Sequence, residues 1–217
     1  MKVLVYGVVP RGARRPAVSG IKGERLRTIP VGALDAVVGE VAAAPRPTAG
    51  NLRRYDRVLT TLWQRHPALL PARFGTVMRD RAELELAVRV RLPTLRRQLA
   101  VVRNRAQMTV RVVPGAGSRD PGSGVGGRGS GRRYLEARVR AARLDHVPEV
   151  AALRRAVGRW VRAERTEAGA GVATIYHLVP RGGAARYRQA IERAAAAAGL
   201  RVHVSGPWPA YAFAEDW

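Results

Sequence analysis

Val3–Val9 (VLVYGVV) is a continuous apolar run closed by Pro10. Seven residues of this kind have the length of a strand buried on both faces and fall far short of a membrane span. The run also lacks the length and small-residue cleavage site of a signal peptide, which predicts a soluble, cytoplasmic chain. A polar, glycine-punctuated connection follows over Gly12–Gly23. Arg25–Ile29 and Ala33–Val41 then read as further strands separated by Pro30 and Gly32, although Val37-Val38 leaves a short helix open in the second.

From Asn51 the pattern changes to a helical one. Leu52, Tyr55, Val58, Leu59 and Leu62 share one face, Arg53, Arg54 and Arg57 lie mostly on the other, and His66-Pro67 ends the helix. A second helix opens at Asp80-Arg81-Ala82-Glu83, a capping-box spacing with Asp as the cap. It continues through Leu84, Val88, Leu92, Leu95, Leu99 and Val102, and Pro93 predicts a kink. Met108, Val110 and Val112 alternate as a half-buried strand, and Pro114–Gly131, with eight glycines, reads as a flexible insertion. Arg132–Arg165 reads as helical, divided by Pro148, with Asp145 a candidate cap for its second half. Val172–Val179 is a strand, Ala184–Ala198 a helix closed by Gly199, and Leu200–Val204 a final strand.

The fold class that follows is α+β in two domains, an N-terminal one over 1–104 and a C-terminal one over 105–217. The latter runs strand, helix, strand, helix, strand, a modified ferredoxin-like order with one strand missing or unrecognised. Val5–Pro10 and Ile175–Pro180 echo one another, but six residues are too few to make a repeat.

The formal charge of +23 points first to a polyanion. Yet 37 of the 39 basic residues are arginine, as GC-rich coding produces whatever the function, and the excess is even: +13 over residues 1–104 and +10 over 105–217. A general cationic surface therefore precedes a dedicated nucleic-acid face. A basic RNA-binding module with ferredoxin-like domains is the alternative reading. Such sheets carry two or three aromatics on their central strands, where this chain offers only Tyr176. Arg119, Arg128, Arg132 and Arg133 could grip phosphates, but a solvated basic loop explains them.

Chemistry finds little purchase. There is no cysteine, hence no disulfide, thiolate metal site or thiol nucleophile. Gly124–Gly129 matches G-x-G-x-x-G by letter, but inside a glycine-serine run and away from any strand-to-helix turn. His66, His146, His177 and His203 have no metal-ligand spacing; His177 and His203 are predicted on neighbouring strands, where a surface or hydrogen-bonded pair is the reading. Asp80, Glu83 and Glu85 sit at a helix start, where capping accounts for them. No catalytic residues, cofactor or metal are expected.

Two stretches stand apart. Pro71-Ala72-Arg73-Phe74-Gly75-Thr76-Val77 (PARFGTV) joins the two helices: Pro71 stiffens its entry, Phe74 should anchor in the core, and Gly75 permits a turn closed to other residues. Ser205–Phe213 (SGPWPAYAF) follows the last strand, with two prolines to restrain it and three aromatics to bury or to present. With the VYGVV strand, the leucine-patterned helix before PARFGTV, Arg133–Arg138 (RYLEAR) and Tyr176–Pro180 (YHLVP), these stretches resemble the gas vesicle protein F/L family, in order along nearly the whole chain. Ala106-Gln107-Met108 departs from it, since a glutamate often precedes this strand in the family. The resemblance implies a non-catalytic assembly factor or minor structural component of gas vesicles, which confer buoyancy. It implies location in the gas vesicle and cytoplasm and contact with the major gas vesicle shell protein and other gas vesicle accessory proteins. It implies neither a specific nucleic acid nor a membrane as partner. By motif position, Arg73, Phe74, Gly75, Trp208, Tyr211 and Phe213 are the partner-binding candidates.

Overall fold

The computed structural model describes residues 1–13, 16–113, 148–169 and 172–214. The chain divides into two compact units, one of Met1–Ala106 with Trp208–Trp217 and one of Gln107–Pro207. The segment from Trp208 onward, expected with the C-terminal domain, thus clusters with the N-terminal one.

The first unit is a sheet with two helices. Its strands are β1 (Lys2–Pro10), β2 (Arg27–Val31), β3 (Leu34–Val41), β4 (Leu70–Pro71) and β5 (Val77–Met78); its helices are α1 (Ala49–Arg65) and α2 (Arg81–Val102). The sheet runs β2-β3-β1-β4, and β5 also pairs with β1. Val3–Val9 is buried throughout, as its unbroken apolar run requires. Ala36, Val37 and Val38 are buried in β3, so the short helix left open there is not formed. The β1–β3 register slips between Val5 and Gly7, which makes Tyr6 a bulge. At Gly7 a Cβ would stand 2.4 Å from the Leu70 carbonyl oxygen, so β4 approaches β1 only because this residue has no side chain.

Helix α1 starts at Ala49, two residues before the apolar pattern, because the Thr48 hydroxyl caps it by accepting from the Asn51 amide at 3.2 Å. It buries Tyr55, Val58, Leu59, Leu62 and Trp63. Asp80 caps α2 as expected, accepting from the Glu83 amide at 2.9 Å, while Glu83 reaches back to the Arg79 amide at 2.5 Å. Asp80→Ala should therefore lower stability by about 1 kcal/mol, measurable as a shift of the denaturant midpoint. The helix runs on through Pro93 and buries Leu84, Val88, Leu95, Leu99 and Val102.

The second unit holds β6 (Arg105–Val113), α3 (Pro148–Val157), β7 (Ala163–Gly169), β8 (Val172–Pro180), α4 (Ala184–Ala197) and β9 (Arg201–Trp208). Its sheet runs β7-β8-β6-β9: first and third strands at the centre, second and fourth outside, the ferredoxin-like order. Val150, Leu153 and Val157 of α3 and Tyr187, Ile191 and Ala195 of α4 share one core with Met108, Val110, Ile175, Val179 and Val204. The strand missing from the sequence reading is β7. The helix expected to reach Arg165 ends at Val157, and Ala163–Gly169 pairs antiparallel with β8 from Ala163↔Leu178 to Gly169↔Val172. Its Glu164, Arg165, Thr166 and Glu167 are exposed, because an edge strand is kept solvated by charge and shows no apolar alternation. The glycine-rich insertion at 114–131 and Asp145 lie outside the described residues.

Candidate functional site

The PARFGTV segment is stitched to β1 along its length. Gly7 pairs with Pro71 and Val8 with Leu70, and the Ala72 amide donates to the Tyr6 carbonyl at 2.9 Å. The chain then turns over Arg73–Thr76, where the Thr76 amide and hydroxyl both donate to the Arg73 carbonyl, at 3.1 and 2.8 Å. Gly75 makes this turn at φ +82°, in the left-handed region that other residues avoid. Val5 then donates to the Thr76 carbonyl at 2.9 Å, and Val77 and Met78 rejoin β1.

An aromatic stack supports the turn. Tyr55 of α1 lies over Tyr6, ring centroids 5.3 Å apart at 25°, and meets Phe74 edge-on at 5.3 Å and 84°. Its hydroxyl donates to the Ala72 carbonyl at 2.9 Å, and burial pushes this phenol far above its ordinary range, keeping it protonated as a donor. The Tyr6 hydroxyl donates to Glu24 Oε1 at 2.5 Å and accepts from the Ile21 amide at 2.9 Å.

The C-terminal stretch closes over the same place. Arg188 of α4 donates to the Val204 and Gly206 carbonyls, both at 2.7 Å, and so holds the end of β9. Beyond it Pro209, Ala210 and Phe213 are buried, and a 3₁₀ turn over Tyr211–Phe213 directs the Tyr211 hydroxyl to Asp56 Oδ1 at 2.7 Å. Burial, with Asp56 adding to it, raises the Tyr211 phenol well above its usual value. Leu52, Tyr55, Asp56, Arg73, Phe74 and Tyr211 thereby line an open cleft of about 320 Å³. Larger hollows along β2 (about 720 Å³) and beside the start of α1 (about 850 Å³) are lined without any aromatic residue. The cleft offers an apolar aromatic wall, one anchored carboxylate and an arginine at its lip, which suits binding. Among the described residues no group of three or more histidines and carboxylates could hold a metal ion.

Residues 2–215 match the family model described as gas vesicle synthesis protein GvpL/GvpF. The chain belongs to the GvpL/GvpF family. Its fold is similar to the crystal structure of gas vesicle protein GvpF from Microcystis aeruginosa, with a TM-score of 0.75 at 15% identity over 99% of each chain. It is equally similar to that of GvpF from Anabaena sp. PCC7120, with a TM-score of 0.75 at 14% identity over 100% of this chain and 99% of that one. No curated protein matches. Membership places the chain in gas vesicle synthesis, and no helix among the described residues is long and apolar enough to cross a membrane.

In this GvpL/GvpF chain the six candidate positions part company. Arg73, Phe74 and Tyr211 line the cleft. Gly75 shapes its turn, while Phe213, which is buried, and Trp208, 37% exposed, are not among the lining residues. Phe74 is only partly buried against the core, so the anchor expected of it is shared with Tyr55. No local pattern marks Asp56 as a cleft residue, and its one sequence signal is that it is the single acid in the run Arg53-Arg54-Tyr55-Asp56-Arg57.

Unit two of the GvpL/GvpF chain holds a polar chain that its sequence hides. His177 and His203 do not share neighbouring strands, because β6 lies between β8 and β9. His177, 1% exposed, instead bonds Glu164 Oε2 through Nε2 at 2.7 Å and the buried Tyr187 hydroxyl through Nδ1 at 2.5 Å. The carboxylate only accepts, so Nε2–H donates to it; in the neutral ring Nδ1 accepts from Tyr187. Arg154 completes the chain, bonding Glu164 Oε1 at 2.9 Å from Nε and 2.7 Å from its terminal nitrogen. The His177 hydrogen bond, joined by Arg154 and opposed by burial, holds Glu164 below its ordinary value of 4.5. A depressed carboxyl stabilises the fold above its unfolded value and loses that contribution as pH falls through the folded one. Melting followed from about pH 6 to about pH 3 should thus show wild type and Glu164→Gln converging as the pH falls. Gln107, within the Ala106-Gln107-Met108 stretch, is buried and donates from its amide to the Thr109 hydroxyl at 3.3 Å.

Proposed function

We propose that this chain is a non-catalytic accessory or minor structural protein of gas vesicle assembly, and that it binds the major gas vesicle shell protein at the cleft between α1, the PARFGTV turn and the C-terminal 3₁₀ turn. The observation that carries this reading is the Tyr211–Asp56 hydrogen bond, which seats the C-terminal stretch on α1, so that Tyr211 and the Arg73–Phe74 pair of the other unusual stretch line one cleft in a chain of the gas vesicle synthesis family. In this reading Phe74 and Tyr55 receive an apolar side chain of the shell subunit, while Arg73 and the Asp56–Tyr211 pair orient its polar groups. Gly75 and Phe213 hold the turn and tail in place, and Trp208 extends the apolar surface beyond the cleft. Other gas vesicle proteins would meet the chain in the vesicle and the cytoplasm, and no cofactor takes part. Two features support a binding role over catalysis and over RNA. His177 is sealed in the core, and Tyr176, the aromatic of the central strands, donates to Glu167 Oε2 at 2.8 Å, its phenol pushed up to about 12 by burial and then by that carboxylate.

Co-expression with the shell protein followed by pull-down tests the proposal. The shell protein should be captured at low salt, and Arg73→Glu with Tyr211→Ala should reduce the captured amount about ten-fold without a large loss of melting temperature. Failure of the wild-type chain to capture it at low salt would remove the reading.

A further inference from the structure

We infer that the outward face of α2 is a second docking surface, built for an amphipathic helix of a partner protein whose apolar stripe is flanked by carboxylates. The helix is apolar on two sides. One side, Leu84, Val88, Leu95, Leu99 and Val102, is buried in the first unit. On the opposite side Leu86 and Val90 are 65% and 73% exposed, and Pro93 and Ala100 are exposed with them. Leu86, Val90, Pro93, Arg97 and Ala100 follow one another at spacings of 4, 3, 4 and 3, the seam along which two helices pack. That seam is about 21 Å long at 1.5 Å per residue, enough for a partner helix of four turns. An exposed stripe opposite a buried one contributes nothing to the fold, and contiguous exposed apolar surface of this kind marks contact with a partner.

Charge says what the partner carries. From Leu86 to Val102 the seam side of the helix carries Arg89, Arg96 and Arg97 and no acidic residue, while Arg91 falls on the side of the buried stripe. Arg96 makes no hydrogen bond or ion pair among the described residues, and Arg97 bonds the Thr94 hydroxyl at 3.2 Å. Arg89 stands 3.6 Å from Glu85, which Arg81 already binds at 2.6 Å. Beside the seam, Ala100 leads into a hollow of about 290 Å³ lined by Pro10, Leu34 and Leu99, with Arg96 and Arg103 also in its wall. An apolar track bordered by an excess of guanidinium groups is complementary to leucine-like side chains flanked by glutamate or aspartate. A second copy of this chain would set arginine against arginine, and a nucleic acid would leave Leu86 and Val90 without apolar partners. The surface shares no residue with the cleft at Tyr211, so it stands whatever that cleft binds.

The test uses the full chain and two labelled synthetic peptides. One is a helix with leucines at i, i+3, i+4 and i+7 flanked by glutamates; the other has the same composition scrambled. By fluorescence polarisation at about 0.15 M salt, the patterned peptide should bind at least about ten-fold more tightly than the scrambled one. Leu86→Ser with Val90→Ser, at exposed positions, should abolish that preference while the melting curve stays in place. Arg96→Glu with Arg97→Glu should weaken the patterned peptide and flatten its salt dependence. Equal binding of the two peptides, or an unchanged preference in the serine variant, would overturn the inference. So would a dimer in sedimentation that the serine variant dissolves, which assigns the seam to a second copy. Binding of single-stranded RNA that the serine variant weakens would overturn it equally.

Discussion

Replacing Tyr55 with alanine should lower the stability of the chain by about 3–5 kcal/mol, the cost of removing a large aromatic from a packed core. Tyr55 is 5% exposed, stacked on Tyr6 and in edge contact with Phe74, so its loss opens a cavity that two rings cannot fill without leaving their own contacts. Tyr55→Phe keeps the ring and removes only the hydroxyl that donates to the Ala72 carbonyl, and should cost about 1–2 kcal/mol. Denaturant unfolding of both variants separates packing from hydrogen bonding. The same ring forms the wall of the cleft, so Tyr55→Phe should retain shell-protein capture, while Tyr55→Ala, assayed at a temperature where it is still folded, should lose it.

His177→Ala is the second large effect, at about 3 kcal/mol or more. The substitution leaves a cavity, and it strands the fully buried Tyr187 hydroxyl, a group that costs about 1–3 kcal/mol when unpaired. Glu164 keeps Arg154 but loses its bond to the ring. His177→Ala with Tyr187→Phe removes the stranded hydroxyl, so the double variant should be less destabilised than the sum of the two single changes. Additive effects in that cycle would mean that the His177–Tyr187 bond contributes nothing.

Elements whose cause lies in their own residues are legible in the sequence. The run Val3–Val9 announces a strand covered on both faces, and the stripe from Leu52 to Leu62 announces α1. Asp80 with Glu83 announces the start of α2 by the chemistry of its first turn. What depends on a distant partner is not legible there. β7 is polar because it is an edge, and only its pairing with β8 makes it a strand. β4 and β5 are two residues each and exist because β1 offers its free side. The same holds for the cleft: each of its two stretches stands out alone, but Tyr211 meets Asp56 across 155 residues, and no local pattern encodes that contact. On α2 the buried stripe masks the exposed one, because Leu84 and Leu86 both look like core until the fold decides which way each points.

Photo-crosslinking tests the central claim most directly. A photoreactive phenylalanine derivative is placed at Phe74 or at Tyr211, both in the cleft, or at Gln189, exposed on α4, in cells that also make the shell protein. Adducts with the shell protein should form on irradiation from the first two positions and not from the third. Adducts from Gln189 alone, or from none of the three while the shell protein still co-purifies, would contradict the assignment of the cleft as its binding site.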